Sequence, residues 1–408
     1  MKNGKNGIAI DLGTTTVAVH LVDMERGVKR ASTGRANAQA PYGADVTSRI
    51  EYCQRNGHEK LTTLIREQIK SMVEELCDIA SVRPESIEEI VIAANTVMQH
   101  IAAGYSPAKM STFPYETKSL FGETVRAWDT FPAGKNATIY YTPAISAHVG
   151  GDITAGLLAA GFEDVQEPAI FVDIGTNGEI VLKQKNTYYC CGAAAGPAFE
   201  GAEIEKGMAA AQGAICSVWK EETAKNDIDI KSAGIKDMDY FVIGGGDPLG
   251  ICGSGLIDLL AVFLDKGLVG KSGKAKKERL YLSEENEEIY ITQADVRKLQ
   301  LAKAAIAAGI KVMLHYAEVA ESEIHRLAIA GGFGSTLDIV NAARVGLIPK
   351  RLRPVAKICG NMAGEGAVMA LGSAEARKKM ESIRERAEYV DLSANAFFND
   401  KFVEQMSF

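Results

Sequence analysis

Two stretches that repeat one pattern decide the fold: GIAIDLGTTTVAVHLVD at residues 7–23 and AIFVDIGTNGEIVL at residues 169–182. Each is an apolar run that ends in an aspartate, then a Gly-Thr turn, then a second apolar run, which is typical of a β-hairpin. In the second stretch Asn177 and Gly178 form a strong turn dipeptide, because both residue types tolerate positive φ. The repeated pattern therefore predicts two similar hairpins and a duplicated lobe.

The segments around these hairpins indicate strands alternating with helices, and hence an α/β fold. Apolar spacing and turn residues predict helices over 59–80, 151–161 and 294–320, and strands over 88–94 and 326–334. A chain of 408 residues is too long for one compact core and suits two lobes. We expect a first lobe over 1–165, a second over 166–358, and a C-terminal helix returning towards the first lobe, with a tail, over 359–408.

Composition excludes several classes of protein. The net charge of −7 argues against a broad nucleic-acid surface. No run reaches the ~18 apolar residues of a membrane span, and the N-terminus lacks an apolar signal core, so a cytoplasmic protein is expected. The seven cysteines are scattered and odd in number, and neither C-x-x-C nor a ferredoxin-like cysteine run occurs. Buried structural thiols are the expectation.

Both predicted turns suit the phosphates of a nucleotide. Glycine in a tight turn lets backbone N–H groups approach phosphate oxygens, and neighbouring threonines add hydroxyl donors. Each turn follows a strand-end aspartate, Asp11 or Asp173, and Mg²⁺ prefers a few carboxylates, often through water, plus phosphate oxygens. The alternative is a pair of ordinary capped hairpins. The phosphate-binding candidates are Gly13, Thr14, Thr15, Thr16, Gly175, Thr176 and Asn177.

A third glycine turn follows the strand predicted over 326–334, at Gly331-Gly332-Phe333. It resembles a fragment of a dinucleotide fingerprint, but it does not complete G-x-G-x-x-G and no acidic residue follows at the expected distance. No G-x-x-x-x-G-K-[ST] motif occurs in the chain either, which excludes a P-loop enzyme.

The motifs in order resemble a superfamily. IDLGTTT, a small-residue helix led by Gly-Asp, VDIGTNGE, LAIAGGFGS and GNMAGEGAVMALGS (360–373) follow the order seen in actin, heat-shock chaperone ATPases, and sugar and acetate kinases. Longer stretches resemble the ATPase part of the reductive activators of corrinoid proteins, from about Gly7 to the C-terminus. These stretches are CGAAAGPAFEGAEIEKGM (191–208), GICGSGLID (250–258) and QLAKAAIAAGI (300–310).

The resemblance implies a two-lobed actin-like ATPase fold, with duplicated ribonuclease H-like lobes and the nucleotide held between them. It implies ATP and Mg²⁺ as cofactors, and ATP hydrolysis that helps return a Co(II) corrinoid to its active state in a methyl-transfer system. The implied partner is a corrinoid protein or corrinoid methyltransferase, and relatives suggest a homodimer.

This sequence differs from the family pattern in one feature. In the family the ATPase part usually follows an iron–sulfur domain, whereas this sequence begins almost directly at the first hairpin. We therefore expect no iron–sulfur cluster in this chain and a separate ferredoxin-like electron donor.

The resemblance also assigns residue roles. Gly331, Gly332 and Phe333 would line the adenosine side. Asp152 opens the first connecting helix, where related enzymes place a group that orients or deprotonates the attacking group; a helix N-cap is the alternative. Lys303 lies where related proteins contact the nucleoside, or it is a solvated lysine.

Two other functions share these motifs. A small-molecule kinase of the sugar or acetate kinase class uses the same phosphate turns. A nucleotide-dependent regulatory binding module with little turnover would use them as well.

Overall fold

The computed structural model describes residues 5–219, 238–282, 288–332 and 336–408. The chain forms two compact units. The first comprises 1–165, 186–188 and 361–389, and the second 166–185, 189–360 and 390–408. None of the helices in the described ranges is long and apolar enough to cross a membrane.

The strands, in chain order, are β1 Asn6–Leu12, β2 Thr16–Asp23, β3 Val28–Ala36, β4 Ile87–Ala94, β5 Thr124–Arg126, β6 Thr138–Tyr141, β7 Ala169–Ile174, β8 Gly178–Gln184, β9 Thr187–Ala193, β10 Ala214–Trp219, β11 Asp239–Val242, β12 Gly250–Ile251, β13 Arg279–Tyr281, β14 Tyr290–Thr292, β15 Arg326–Ala330, β16 Ala356–Gly360 and β17 Ala387–Tyr389.

The α-helices are α1 Val46–Asn56, α2 Glu59–Ala80, α3 Thr96–Ala103, α4 Gly151–Ala159, α5 Gly253–Asp265, α6 Gln293–Tyr316, α7 Ile339–Val345, α8 Met362–Ala370, α9 Ala374–Glu385 and α10 Ala396–Glu404. A short 3₁₀ helix, Pro197–Glu200, also matters for the site.

Each unit contains a sheet built in the same order. The first sheet has the order β3-β2-β1-β4-β6-β5, with β1 antiparallel to β2 and parallel to β4. The second unit contains the order β9-β8-β7-β15-β16, with β7 antiparallel to β8 and parallel to β15. A hairpin therefore begins both sheets, and a parallel strand lies against its first strand each time. The predicted duplication is confirmed.

Local pattern explains these elements well. The alternation in β2 buries Val17, Val19 and Leu21 on one face, and α2 buries residues at helical spacing against the same core. Burying each such aliphatic side chain stabilises the fold by roughly 1.5–3 kcal/mol. The helix over 59–80 has the predicted bounds.

Three other predicted elements end earlier than the patterns suggest. Helix α4, predicted over 151–161, ends at Ala159. Helix α6 ends at Tyr316, because Ala317 and the positive φ of Glu318 turn the chain. The strand predicted over 326–334 ends at Ala330, because Gly331 has a φ of +102° and leaves the extended region.

The C-terminal segment divides between the units. Helices α8 and α9 belong to the first unit, and α10 with the following residues belongs to the second. In the first unit α8 packs closely on α4, and a Cβ at Gly366 would lie 2.1 Å from the carbonyl oxygen of Ala155. Glycine at this position is what lets the two helices approach.

Candidate functional site

The first hairpin turn, residues 11–16, is held by hydrogen bonds to its backbone. Asn37 donates its amide Nδ2 to the carbonyl of Gly13 at 2.9 Å and its backbone N–H to the carbonyl of Thr15 at 2.8 Å. A Cβ at Gly13 would lie 2.6 Å from the carbonyl oxygen of Thr16, so only glycine fits. Thr15 and Thr16 are exposed. The turn is therefore rigid, and its threonine side chains are accessible.

A buried cation lies behind this turn. The guanidinium of Arg49 donates Nη2 to the carbonyl of Thr14 at 2.6 Å, Nε to the carbonyl of Gly43 at 3.0 Å, and Nη1 to Gln39 Oε1 at 3.1 Å. These acceptors are all neutral. Burial lowers the pKa of Arg49 to about 10, so the side chain stays charged at neutral pH. A positive charge is thus placed next to the candidate phosphate turn.

The hydroxyl of Thr14 has a defined orientation. Asn95 caps α3 by accepting the backbone N–H of Met98 on Oδ1, which leaves its NH₂ group to donate to Thr14 Oγ1 at 3.0 Å. An amide NH₂ can only donate, so the threonine oxygen accepts this bond. The hydroxyl proton of Thr14 is not used in it and can be given to a phosphate oxygen.

Two carboxylates meet beside the first hairpin. Asp11 at the end of β1 accepts a 2.7 Å hydrogen bond from Asn361 Nδ2, and Asp152 accepts the backbone N–H of Ile153 at 2.9 Å. Burial raises the pKa of Asp11 to about 6, and the bond from Asn361 partly offsets this rise. Burial, and then repulsion from Asp11, raise the pKa of Asp152 more strongly. The carboxylates of this pair therefore repel one another when both are ionised.

The start of α4 explains why Asp152 reaches this place. A Cβ at Gly150 would lie 2.4 Å from Asn95 Cα, and one at Gly151 would lie 2.2 Å from Thr142 Oγ1. Two glycines therefore let the helix begin directly against β4 and α3. The N-cap is Gly150, and Asp152 is the second residue of the helix. The alternative in which Asp152 is the N-cap is therefore wrong.

The second hairpin turn, residues 173–178, is held differently. Gly175 donates its backbone N–H to the carbonyl of Asn177 at 2.9 Å, and a Cβ at Gly178 would lie 2.8 Å from Ile306 on α6. The hydroxyl of Thr176 donates to both carboxylate oxygens of Glu200, at 3.0 and 3.1 Å. The side chain that orients this threonine is thus an anion.

The third glycine turn lies against the end of the second hairpin's first strand. A Cβ at Gly331 would lie 2.3 Å from the carbonyl oxygen of Ile174 and 2.8 Å from Asp173 Oδ1, whereas one at Gly332 would meet no atom of the described residues within 4 Å. Phe333 lies outside the described residues. Of the candidate adenosine residues, Gly331 is therefore beside Asp173.

Lys303 is buried on α6, so the alternative of a solvated lysine is wrong. Its ammonium group donates to the carbonyl of Ser407 and lies 5.2 Å from the centre of the Phe408 ring. Burial lowers its pKa to about 8. In this structure the C-terminal residues, and not an open surface, surround the amine.

The carboxylates fit a magnesium ion in part. Among the described residues, no three or more His, Cys, Asp or Glu side chains are grouped to hold a metal. Mg²⁺, however, commonly takes one or two carboxylates and completes its shell with water and phosphate oxygens. Asp11 offers a hard oxygen donor, and burial raises the pKa of both Asp11 and its neighbour Asp152. Asp11 therefore fits such an ion bound together with phosphates.

Sequence reasoning missed four side chains that shape the site: Arg49, Asn95, Glu200 and Asn361. Asn95 follows a predicted strand, and Glu200 lies in a glycine-punctuated segment, which are weak local signals. Arg49 and Asn361 carry no such signal, because 35 positions separate Arg49 from Thr14 and 350 separate Asn361 from Asp11.

Comparisons with known proteins agree with this architecture. Residues 167–408 match the family described as the C-terminal domain of RACo, the ASKHA domain, and residues 6–165 match the RACo middle region. The actin-like α/β fold predicted from the sequence is confirmed by these matches and by the paired sheets.

Three relatives illustrate the similarity. The corrinoid activation enzyme RamQ of Eubacterium limosum is 30% identical over 98% of this chain and 70% of its own length. The [Co(II) methylated amine-specific corrinoid protein] reductase of Methanosarcina barkeri is 26% identical over 98% of this chain and 77% of its own length.

A solved structure of a reductive activator for a corrinoid, iron-sulfur protein superposes with a TM-score of 0.88 at 37% identity, over the whole of this chain and 67% of that one. The chain therefore belongs to the RACo family of reductive activators of corrinoid proteins, with its middle region over 6–165 and its ASKHA domain over 167–408.

Proposed function

We propose that this chain binds and hydrolyses ATP to assist the reductive reactivation of a Co(II) corrinoid protein in a methyl-transfer system. The observation that carries the proposal is the pair formed by Asp11 and Asp152 beside a rigid glycine turn. An ordinary capped hairpin does not need a second carboxylate with a strongly raised pKa. The names of the relatives supply the corrinoid protein as the partner class.

The residue roles are proposals as well. Asp11 and Asp173 would hold Mg²⁺, in part through water, and the ion would neutralise phosphate charge. Asp152 would orient the attacking water and accept its proton, since a carboxylate with a raised pKa is a better general base near neutral pH. The nucleotide-binding residues would be Gly13, Thr14, Thr15, Thr16, Gly175, Thr176, Asn177, Lys303, Gly331, Gly332 and Phe333.

Lys303 is the weakest of these assignments. Its amine lies among Ser407 and Phe408, so contact with a nucleoside would require these residues to move. Lys303→Met tests the assignment directly. Unchanged ATP affinity in a folded variant would remove Lys303 from the nucleotide site.

We further propose a separate low-potential electron donor of the ferredoxin class and a location in the cytoplasm. A homodimer is the proposed assembly. Size-exclusion chromatography with light scattering measures the assembly without reference to activity.

The experiment combines this protein, a Co(II) corrinoid protein, a low-potential reductant or ferredoxin, and Mg·ATP. Faster appearance of the Co(I) absorption spectrum with ATP than with a non-hydrolysable analogue supports the proposal. Mass spectrometry of the same mixture looks for phosphorylated small molecules, which a kinase would produce. Co(I) formation at the same rate with and without the protein, across several corrinoid partners and donors, would contradict the proposed function.

A further inference from the structure

Asn361 contacts the carboxylate of Asp11 from the start of α8. Its amide Nδ2 donates to Asp11 Oδ2 at 2.7 Å, across 350 positions of the chain and within the first unit. Among the described residues, no other group donates a hydrogen bond to the Asp11 carboxylate. One oxygen of this carboxylate is therefore held by the protein, and Oδ1 is left for a ligand.

The amide of Asn361 has a fixed orientation. Asn361 is the N-cap of α8, and its Oδ1 accepts the backbone N–H of Gly364 at 2.8 Å. This bond satisfies one of the backbone donors that the first turn of a helix leaves without a partner. With the amide oxygen engaged in the cap, the NH₂ group faces Asp11, and an amide NH₂ can only donate. The helix cap thus decides which end of the amide Asp11 meets.

Small side chains bring α8 close enough for this contact. Alternation along β1 puts Ala9 and Asp11 on the same face of the strand. Ala9 packs in one core cluster with Ala155 of α4 and with Ala363 and Ala367 of α8. Helix α8 therefore lies against β1, and even the short side chain of its N-cap residue reaches the end of the strand.

A carboxylate held in this way suits a divalent cation. Mg²⁺ takes few protein ligands and demands near-ideal octahedral geometry, so each ligand has to be aimed. Ligating carboxylates are commonly oriented by hydrogen bonds from partners outside the metal's own shell. Asn361 is such a partner for Asp11, whose surface stays partly accessible. Because the amide is neutral, it fixes the carboxylate without competing with a cation for its charge.

We propose that Asn361 is a positioning residue that holds Asp11 by one carboxylate oxygen and keeps the other directed at the divalent cation bound with the nucleotide. The proposal rests on the binding of ATP and Mg²⁺ proposed above. It gives the N-cap of α8 two tasks, since one amide both begins the helix and orients the strand-end aspartate.

The test is calorimetric titration of the full chain with ATP in the presence of Mg²⁺ and, separately, with ATP in EDTA. In Asn361→Ser the hydroxyl can still cap α8, but the side chain is too short to reach Asp11 and has no NH₂ group. We expect the affinity for Mg·ATP to fall about tenfold, as for loss of an outer partner of a metal ligand, while the affinity for metal-free ATP stays unchanged.

Asn395→Ser is the matched control. Asn395 caps α10 in the same way, accepting the backbone N–H of Phe398 at 3.0 Å and donating its Nδ2 to the hydroxyl of Tyr316 at 3.2 Å. This variant should leave both affinities as in the wild type. Thermal melts establish that each variant is folded, and Asn361→Thr, which also caps and also falls short of Asp11, decides the question if Asn361→Ser does not fold.

A double-variant cycle tests whether Asn361 acts through Asp11. Asp11→Asn should itself lower the affinity for Mg·ATP, because it removes the charged ligand. Adding Asn361→Ser to Asp11→Asn should then cause no further loss, since the two residues are in direct contact and form one unit.

The outcomes separate this inference from the proposed function. A wild-type protein that binds neither form of ATP overturns both. If the wild type binds ATP, the inference alone is overturned when Asn361→Ser behaves as Asn395→Ser does or weakens both forms of ATP equally. A loss that persists in the Asp11→Asn background overturns it as well. A loss confined to Mg·ATP that disappears in that background supports it.

Discussion

The first and second hairpins share a Gly-Thr turn after a strand-end aspartate, but different groups hold their threonines. Thr14 accepts a hydrogen bond from the amide of Asn95, and the buried guanidinium of Arg49 holds its carbonyl. Thr176 donates its hydroxyl to the carboxylate of Glu200. The first turn is therefore supported by donors and a positive charge, and the second by an acceptor and a negative charge.

A repeated motif therefore need not repeat its chemistry. A threonine hydroxyl has one proton, and its neighbour decides where that proton goes. The proton of Thr176 goes to Glu200, whereas the bond from Asn95 does not use the proton of Thr14. Four predicted effects test the contrast between the two hairpins.

The largest expected effect concerns Asp152, whose partner carboxylate is found beside the first hairpin. Asp152→Asn keeps the size of the side chain but removes the base, so ATP turnover should fall by roughly 10²–10⁴-fold while ATP still binds. Single-turnover hydrolysis and calorimetry measure the two effects. A variant that keeps more than half of wild-type turnover would leave Asp152 with a structural role only.

The next effect concerns the buried cation of the first hairpin. Arg49→Met removes the hydrogen bonds that Arg49 donates to the carbonyls of Thr14 and Gly43, and it should lower the free energy of unfolding by about 3 kcal/mol. It should also weaken the binding of metal-free ATP. Arg49→Lys should restore part of the lost stability and part of the lost affinity. Urea unfolding and calorimetry measure these changes.

Arg55→Met is the control for this prediction, because Arg55 lies on the same helix with a largely exposed side chain. Its effect on stability should be within ~0.5 kcal/mol. Metal-free ATP affinity that does not change in a folded Arg49→Met variant would contradict the positive character assigned to the first hairpin.

The third effect is a dependence of stability on pH in the nucleotide-free protein. Burial raises the folded-state pKa of Asp11 to about 6, from an ordinary value of 3.8, and raises that of Asp152 more strongly. A raised carboxyl pKa means that the folded state holds its proton more tightly than the unfolded state does. The stability from these protonated groups is complete below the unfolded pKa and is lost as the pH rises through the folded pKa values.

Asp152→Asn removes one of these titrating groups. The gain in unfolding free energy over the wild type should therefore be on the order of 1–2 kcal/mol larger near pH 7.5 than near pH 5. Urea unfolding of both proteins at the two pH values checks this. An equal gain at both pH values would show that the pKa of Asp152 is not raised in the folded protein.

The smallest effect concerns the donor hydroxyl of the first hairpin. Thr14→Val should lower the affinity for ATP about five- to tenfold whether or not Mg²⁺ is present, because it removes one hydrogen bond to a charged group. Thr14→Ser should retain the affinity, and Thr63→Val, at an exposed position on α2, should change nothing. A loss seen only with Mg²⁺ would contradict a hydrogen bond from the Thr14 hydroxyl to a phosphate oxygen.

Much of the fold is predictable because it depends on neighbours in the chain. Helix α2 and the two hairpins are encoded by local apolar spacing and turn residues, and both hairpins lie where the patterns put them. The same local sequence patterns identify the candidate aspartates. The surroundings of Lys303 and Asp152 depend on residues that are distant in the chain. The alternatives of a solvated amine for Lys303 and of a helix N-cap for Asp152 are both wrong.

A few adjacent residues carry the signals for the duplicated hairpins and for the residue types at each turn, and the order of the motifs along the chain carries the resemblance to the actin-like class. The chemical character of each turn depends on tertiary contacts. Arg49, Asn95 and Glu200 reach their threonines from 35, 81 and 24 positions away. The direction of a hydroxyl proton is set by such long-range partners, so no local pattern can contain it.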